Sequence, residues 1–209
     1  HLLGHSFGND GNKLNDSFYK ELLHLIGLEE IKENSKRIIV RKDINNRDYA
    51  SLLENTIFTL EDKNYLDRIQ GISNTDEKAF TWVNRILFLK LLESQLVSYN
   101  NSKSYKFLNF KFLNGYDALN DLFFSALAKP INERHAKYKD RFKNIPYLNS
   151  SLFEHSPIEE QTFDITALKD EEMQVYSTTI LKDANGRRLK GKLNTLEYVF
   201  RFLDAYDFT

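Results

Sequence analysis

The sequence predicts a mainly α-helical fold: an irregular helical bundle around one long central helix, with a small C-terminal β-hairpin element. The 209-residue chain has only 8 Gly and 3 Pro, and such scarce turn residues favour long helices over a many-turned sandwich or barrel. Residues 76–99 carry apolar side chains at helical spacing over a wide surface. Near the C-terminus, Asn185-Gly186 lies between β-rich stretches and indicates a hairpin.

The N-terminal part is predicted to contain a flexible start followed by a short amphipathic helix. Residues 1–13 are rich in Gly, Asn and His, which favours a flexible segment. Asn15 or Asp16 can cap a helix that runs to about Leu25, and Gly27 is expected to end it.

Between this helix and the central one, the sequence predicts one further helix. The stretch 36–43, "KRIIVRKD", is short and β-branched, so it is either a strand or an extended link. A second helix is predicted from Asp48 to about Glu61, because apolar residues recur there every three or four positions. A loop with Gly71, Ser73 and Asn74 is expected to follow it.

The central helix is predicted over Asp76 to about Tyr99. Trp82 and Ile86 lie on one face of it, and apolar residues beside them widen that face, so the helix should form the axis of the core. Asn84 and Arg85 interrupt the apolar surface. A polar pair at such depth favours a structural hydrogen-bonding role over a catalytic one.

The following stretch is predicted to contain two helices and a strand. One helix runs from about Tyr116 to Ala128 and stops before Pro130. "NERHAKYKDRF", residues 132–142, predicts a short basic helix. In "TFDITAL", residues 162–168, apolar and polar side chains alternate, which predicts a strand.

The C-terminal stretch predicts a hairpin and a last helix. Strands are expected near 175–181 and 187–192, on either side of the Asn-Gly pair. A helix is expected to begin at Asn194 or Thr195 and to continue to Thr209.

Composition limits the compartment and the chemistry. The absence of cysteine excludes disulfides, thiolate zinc sites and cysteine nucleophiles. No apolar run approaches the roughly 20 residues of a membrane span, and the N-terminus lacks the basic and apolar regions of a secretory signal. The expected location is therefore cytoplasmic, with no membrane partner.

The charge is close to neutral overall but clustered locally. The formal net charge is -1, yet residues 129–143 hold six Lys or Arg against two acids, and residues 36–47 and 182–192 each hold five against one. Residues 159–172 hold six acids against one Lys. The three basic segments could assemble one phosphate-binding face; the alternative is that each is a solvated loop or helix end.

The sequence contains no recognisable catalytic motif. There is no Gly-rich phosphate loop, no Gly-x-Ser-x-Gly and no His-Glu-x-x-His. The acid-Lys strings closest to the pattern of a Mg²⁺-dependent nuclease fall at helix edges without a partner strand. The five histidines are scattered without metal-ligand spacing: His1, His5, His24, His135 and His155. We therefore predict no catalytic, cofactor-binding or metal residues in this chain.

A family resemblance begins at residues 146–154, "PYLNSSLFE". This stretch resembles the Tyr-Leu-Asn-Gly-Gly-Leu-Phe-Glu type motif found upstream of the catalytic core in adenine-methylating restriction–modification enzymes. The family is that of the single-chain type IIG enzymes, often labelled type I restriction enzyme subunits. Other stretches resemble that family in the same order along the chain: "LNDSFYKELLHLIGL", "SLLENTIFTLE", "WVNRILFLKLLESQLV", "ALNDLFFSALAKPINER" and "NTLEYVFRFLDAYDF".

The resemblance implies that this chain is the helical connector of such an enzyme. In that family, an N-terminal nuclease precedes the connector, and an N6-adenine methyltransferase and target recognition follow it. The parent enzyme would act on double-stranded DNA with S-adenosylmethionine and Mg²⁺, whereas the connector itself would hold no cofactor. Ser150-Ser151 departs from the usual glycines of the motif, so the turn is not expected to need positive φ. No catalytic residue is carried over, because the Asn-Pro-Pro-Tyr motif and the cofactor loop do not occur in the chain.

The predicted organisation has three parts. They are a flexible start (1–13), a helical bundle (14–155), and a small β element with a terminal helix (156–209) that would lead into an absent downstream methyltransferase domain. The chain begins with His1, and its last predicted helix has no capping residue or polar tail, so we expect it to be a segment of a longer polypeptide.

Two functions are compatible with the sequence. The first is a non-catalytic connector that makes non-specific DNA backbone contacts, with the adjacent nuclease and methyltransferase domains as partners. The candidate contacts are Lys137, Lys139, Arg141, Lys143, Arg187, Arg188, Lys190 and Lys192. The motif residues with a structural role are Tyr147, Leu148, Asn149, Leu152 and Phe153. The alternative is a purely structural protein–protein interaction module, which an exposed apolar face on the last helix (Leu196, Val199, Phe200, Leu203) would favour.

Overall fold

The computed structural model of the protein describes residues 14–63 and 73–208, except for the side chains of residues 73–79. Within these residues the fold is mainly α-helical with two small antiparallel strand pairs, which confirms the predicted fold class. The helices are α1 (Asp16–Ile26), α2 (Leu52–Asp62), α3 (Ser73–Asn100), α4 (Tyr116–Asn120), α5 (Ala136–Arg141), α6 (Pro157–Gln161) and α7 (Thr195–Asp204). The strands are β1 (Leu28–Glu33), β2 (Lys36–Arg41), β3 (Glu172–Gln174) and β4 (Lys192–Asn194). The predicted flexible start, with His1 and His5, and the loop residue Gly71 lie outside the described residues.

Helix α1 has the caps that the sequence predicts. The Asn15 side chain accepts a hydrogen bond from the backbone N–H of Phe18 at 3.1 Å, which satisfies one free donor of the first turn. At the other end Gly27 has φ +103° and its N–H donates to the last-turn carbonyls of Leu23 and His24. A left-handed residue ends the helix there, and glycine adopts that conformation at least cost.

Helix α2 begins later than predicted. The Asp48 side chain accepts a hydrogen bond from the Ala50 N–H at 3.0 Å and so forms a turn rather than a first helical residue. Ser51 is the actual N-cap and accepts from the Glu54 N–H. The start predicted at Asp48 is therefore wrong by about one turn, because two capping-type residues lie close together and the second one caps the helix.

Strands β1 and β2 form a hairpin of which the sequence predicted only the second strand. The strand interpretation of 36–43 is confirmed for Lys36–Arg41, which pairs with β1 from Glu33↔Lys36 to Leu28↔Arg41. Asn34 and Ser35 form the two-residue turn, with φ of 48° and 65°. Positive φ at both positions is the geometry of a tight hairpin turn.

Helix α3 is the axis of the core, as predicted. Trp82, Ile86 and Leu89 are buried along it, and α2 packs against it. The helix begins at Ser73, so the loop predicted at Ser73 and Asn74 is wrong. The predicted helix after it is confirmed at Tyr116, but the α-helix gives way at Asp121 to a π-helix, Asp121–Leu127.

Two corrections concern the C-terminal β element. Residues 162–168 do not form a strand. They contain a single 3₁₀ turn, Ile165–Ala167, and Phe163 and Ile165 are buried there. The alternation of apolar and polar side chains therefore comes from a compact turn. The hairpin is present, but its strands are displaced from the predicted positions. Its ladder consists of β3 and β4, with an isolated bridge between Lys182 and Arg188.

Helix α7 completes the same core that α1 and α3 form. The ring of Phe18 in α1 stacks on Phe202 at 5.1 Å and meets Tyr206 edge-on at 4.8 Å. The helix begins at Thr195 as predicted but ends at Asp204, so its predicted continuation to Thr209 is wrong. The chain leaves the helix there because Tyr206 and Phe208 both turn back onto Phe18. None of the described helices is long and apolar enough to span a bilayer.

Candidate functional site

Among the described residues, a concentration of exposed positive charge lies on a hairpin formed by residues 181–192, which we call the basic hairpin. The Asp183 N–H donates to the Arg187 carbonyl at 2.7 Å, and the Leu189 N–H donates to the Leu181 carbonyl at 2.9 Å. Gly186, with φ +75°, occupies the left-handed position of the loop. The loop is therefore a three-residue type rather than the two-residue type that Asn185-Gly186 suggests.

The basic hairpin has an inner apolar side and an outer charged side. Leu181 is buried and Leu189 is partly buried against the core. The outer side carries five exposed cations: Lys182, Arg187, Arg188, Lys190 and Lys192. The only acid in the hairpin, Asp183, is engaged in the turn, where it accepts from the N–H groups of Asn185 and Arg187, each at 2.9 Å. No carboxylate in the described part of the chain forms an ion pair with the five cations.

Lys182 and Arg188 lie directly opposite each other in an isolated antiparallel bridge between the two arms of the basic hairpin. Like charges in directly opposed positions repel and destabilise a strand pair. Binding of an anion on the outer side of the hairpin would relieve this repulsion.

A buried carboxylate anchors the basic hairpin to the helices. Glu21 of α1 accepts hydrogen bonds from the hydroxyl of Thr179, from the N–H of Ile180 at 3.2 Å and from the hydroxyl of Tyr198 at 2.6 Å. Burial raises the pKa of Tyr198 strongly, and Glu21 adds to the increase, so this hydroxyl remains a donor. The base of the hairpin is thus tied to both α1 and α7.

The basic segment 129–143 is divided between structural and exposed cations. Arg134 is buried and donates to the carbonyls of Lys129 and Phe142. Arg141 stacks over two rings and donates to the Phe112 carbonyl at 3.0 Å, so this candidate is held against the fold. Lys137 is exposed and lies over the Tyr138 ring, and Lys139 and Lys143 are exposed.

The basic segment 36–47 is largely neutralised within the fold. Arg41 makes a bidentate pair with the buried carboxylate of Glu54, with both N–O distances at 2.7 Å. Arg47 lies 3.7 Å from the same carboxylate. The structure thus gives these two guanidiniums an internal partner, and they are not available as phosphate ligands without loss of that partner.

A polar cleft lies between this segment and the β3–β4 ladder. It has two parts, of about 460 and 350 Å³, which share His24 and Asn46. Lys192 and Arg47 line the larger part, so the structure brings two of the three basic segments to one cleft. Acids line the larger part as well, namely Asp48, Glu171 and Glu172. The cleft has mixed charge, unlike the basic hairpin.

His24 and Lys42 form a hydrogen-bonded pair in the wall of the smaller part of the cleft. The Lys42 Nζ lies 2.8 Å from His24 Nδ1, and His24 Nε2 lies 2.7 Å from the Gln174 carbonyl. Burial lowers the pKa of His24, and the charge of Lys42 lowers it further, against opposing effects of Gln174 and Asp48. Burial also lowers the pKa of Lys42, which Glu29 and Asp48 only partly offset.

The motif at 146–154 is held by Arg85, one member of the polar pair predicted in the central helix. Arg85 donates to the carbonyls of Leu152 at 2.6 Å and Glu154 at 2.7 Å, and it pairs with Glu159. The structural role predicted for Arg85 fits these contacts, whereas Asn84 is exposed.

The motif residues themselves differ in burial. Phe153 is fully buried, Leu148 and Leu152 pack against the core, and Tyr147 and Asn149 are exposed. Ser150 caps the 3₁₀ turn Ser151–Phe153 with φ −139°, so the turn at this position needs no positive φ.

Sequence reasoning did not identify the Lys42–His24 pair or the acid partner of Arg85. The members of these pairs are separated by 18 and 74 residues. The one local signal was the capping box at Ser156, where Glu159 occupies the third helical position and thereby turns its carboxylate back toward the motif. Among the described residues, no group of three or more His, Cys, Asp or Glu is arranged to hold a metal ion.

Fold and site together define a mainly helical module with an exposed basic hairpin. Residues 11–209 match the family described as Domain of unknown function (DUF7814), and the chain belongs to that family. Comparisons with curated proteins and with solved structures gave no match.

Proposed function

We propose that this chain is a non-catalytic helical connector of a DNA restriction–modification enzyme and that its basic hairpin contacts the DNA backbone. The parent enzyme would combine an endonuclease with an adenine-N6 methyltransferase that uses S-adenosylmethionine and Mg²⁺. The connector proposal rests on the ordered sequence motifs around "PYLNSSLFE". The DNA contact rests on the structure of the basic hairpin.

The single observation that supports the DNA contact best is that Lys182 and Arg188 lie opposite each other and that no acid in the described structure forms an ion pair with either. Three further exposed cations accompany it, and the only acid of the hairpin is used in the turn. Cations on a hydrogen-bonded hairpin can position a phosphate backbone without reading base sequence. Lys139 and Lys143, which are also exposed, are proposed as additional contacts.

The alternative function, a protein–protein module without DNA contact, lacks the feature that would favour it. Leu196, Val199, Phe200 and Leu203 of α7 are all buried, with at most 5% exposure. The apolar face of the last helix is therefore covered by the chain itself. It offers no exposed patch for a partner protein.

Binding to a short duplex of arbitrary sequence, measured by fluorescence anisotropy across a salt series, tests the DNA contact. If all five hairpin cations contact phosphates, the slope of log affinity against log salt should be about −4.5. Two duplexes of different sequence should bind equally. A folded protein that binds neither duplex at low salt would contradict the DNA contact.

The connector role has a separate test. The coding DNA downstream of this segment should encode, in the same frame, the Asn-Pro-Pro-Tyr motif of an adenine methyltransferase. A stop codon shortly after Thr209 would contradict the connector proposal and would leave the DNA contact to be judged by its own experiment.

A further inference from the structure

We propose that Lys42 is a carbonyl-reactive amine, which forms an imine with a small aldehyde bound in the polar cleft. The smaller part of the cleft, where the aldehyde would bind, is lined by no residue of the basic hairpin, and the proposal does not depend on the DNA contact. Lys42 lines the smaller part of the cleft, about 350 Å³ in volume, together with His24 and Tyr176. That space is sufficient for a small molecule beside the amine.

The surroundings of Lys42 favour the uncharged amine. The side chain is half-buried, and its hydrogen-bond partner is the neutral imidazole of His24 rather than a carboxylate. The nearby acids, Glu29 and Asp48, form no ion pair with it in the described structure. Asp48 is engaged elsewhere, since its carboxylate accepts from the N–H groups of Ala50 and Gln174.

The remaining charges around the site are also accounted for. Lys20 lies on the same wall of the cleft and pairs with Asp16 at 2.8 Å. Glu30 lies 3.5 Å from Arg37. Glu29 and Asp48 therefore only partly compensate an ammonium at Lys42 for its lost hydration.

The imidazole of His24 is oriented to accept a proton from Lys42. The Gln174 carbonyl can only accept, so His24 Nε2 carries the hydrogen and Nδ1 presents a lone pair toward Lys42. A base within hydrogen-bond reach of an amine is the arrangement that activates a nucleophile. The ring of Tyr176, 5.1 Å from His24, covers the imidazole on one side.

The reaction needs no oxidant, reductant or metal. The uncharged amine of Lys42 adds to the aldehyde carbon, and His24 Nδ1 takes one proton from the nitrogen and delivers it to the carbonyl oxygen, which gives a carbinolamine. The hydroxyl of the carbinolamine then leaves as water with a proton taken from solvent. The remaining N–H proton returns to solvent, which leaves an uncharged imine with a carbon–nitrogen double bond.

Reductive labelling of the intact chain tests this proposal. The protein is treated at pH 7 with limiting glycolaldehyde and cyanoborohydride, and each lysine is quantified by peptide mass spectrometry. Lys139, Lys143 and Lys190 are exposed and serve as internal standards. Because the rate follows the unprotonated fraction of the amine, we expect Lys42 to be labelled about tenfold faster than these three. Labelling of Lys42 at the same rate as the standards, or slower, would overturn the proposal.

Two controls test whether the fast labelling of Lys42 comes from the folded site or from the neighbouring residues in the sequence. In guanidinium chloride the preference for Lys42 should vanish, and a preference that persists in the unfolded chain would overturn the assignment to the cleft. The variant His24→Gln retains a donor toward Gln174. It replaces the basic imidazole nitrogen beside Lys42 with an amide, which does not take up a proton at pH 7. In this variant, with its fold verified by circular dichroism, Lys42 should react several-fold more slowly while Lys139 is unchanged. An unchanged rate at Lys42 would overturn the role assigned to His24.

Discussion

Arg85 and Glu159 form a buried bidentate ion pair that joins helix α3 to helix α6. The two N–O distances are 2.9 and 2.8 Å, and each side chain is only 1% exposed. The same guanidinium donates to the carbonyls of Leu152 and Glu154. One side chain of the central helix therefore holds two carbonyls of the "SSLFE" turn and joins that turn to helix α6.

Removal of the carboxylate should destabilise the fold strongly. Glu159→Ala leaves the Arg85 charge buried without its partner, and we expect a loss of about 3–5 kcal/mol in the free energy of unfolding. Urea denaturation followed by circular dichroism measures this loss. Glu160→Ala in the same helix is the matched control, since Glu160 is exposed and should cost less than about 0.5 kcal/mol. Equal effects of the two substitutions would contradict the importance of the pair.

The same pair predicts acid sensitivity. Burial acts to raise the pKa of Glu159, but the hydrogen bonds and charge of Arg85 outweigh it, so that pKa lies below its ordinary value. A depressed carboxyl pKa stabilises the folded state above the unfolded pKa of 4.5, and this stabilisation is lost as the pH falls through the folded pKa. Unfolding free energies between pH 7 and pH 3 should therefore decrease less in Glu159→Gln than in the unmodified chain. Parallel pH profiles would be inconsistent with this explanation.

Local signals in the sequence predicted the helices well. Each of these signals lies within a few residues of the structure that it specifies. The caps Asn15 and Gly27 set the ends of helix α1, and the apolar spacing around Trp82 sets the buried face of helix α3. Strand β1 was not predicted because four of the six residues in "LEEIKE" are charged and because the strand pairs through Asn34-Ser35, a turn without glycine. Its stability comes from the cross-strand partner, which a local pattern does not reveal.

Two glycines with positive φ should respond differently to alanine. At Gly186 a methyl group would meet no atom within 4 Å, so Gly186→Ala should cost only the backbone strain, about 1 kcal/mol. At Gly27 the methyl carbon would lie 2.5 Å from Ser51 Oγ, the cap of α2. Gly27→Ala should therefore cost about 2–3 kcal/mol, because the strain is added to the loss of a cap. Thermal unfolding compares the two, and equal costs would argue against the contact with Ser51.

His24 should contribute a second pH dependence at milder pH. Burial is the main cause that lowers its pKa in the folded state, so below the unfolded value of 6.5 the unfolded chain binds the additional proton. Stability due to neutral His24 is present above pH 6.5 and is lost as the pH falls below it. The stability difference between the unmodified chain and His24→Gln should shrink from pH 8 to pH 5 in chemical denaturation. A difference that is constant with pH would contradict this assignment.

The candidate site was only partly predictable. The clusters at 182–192 and 129–143 can be recognised in the sequence as charge runs. The lysines in them that the structure exposes are the ones expected in a solvated basic segment. The sequence did not predict that cations of 36–47 are neutralised internally. Arg41 and Arg47 lie near Glu54 only in the folded chain, where α2 brings that carboxylate to them. Charge runs identify candidates, whereas burial and internal acids decide which cations remain available to a ligand.

The most direct test of the account compares duplex DNA affinity between two charge-matched double variants at low salt. Arg188→Glu with Lys190→Glu changes the basic hairpin, and Lys103→Glu with Lys111→Glu makes the same change in net charge at exposed lysines elsewhere. If the hairpin holds the DNA backbone, the first variant should lose at least about tenfold in affinity and the salt slope should fall by about 2, whereas the second should lose much less. Equal losses in both variants would show that only net charge matters and would contradict the proposed interface.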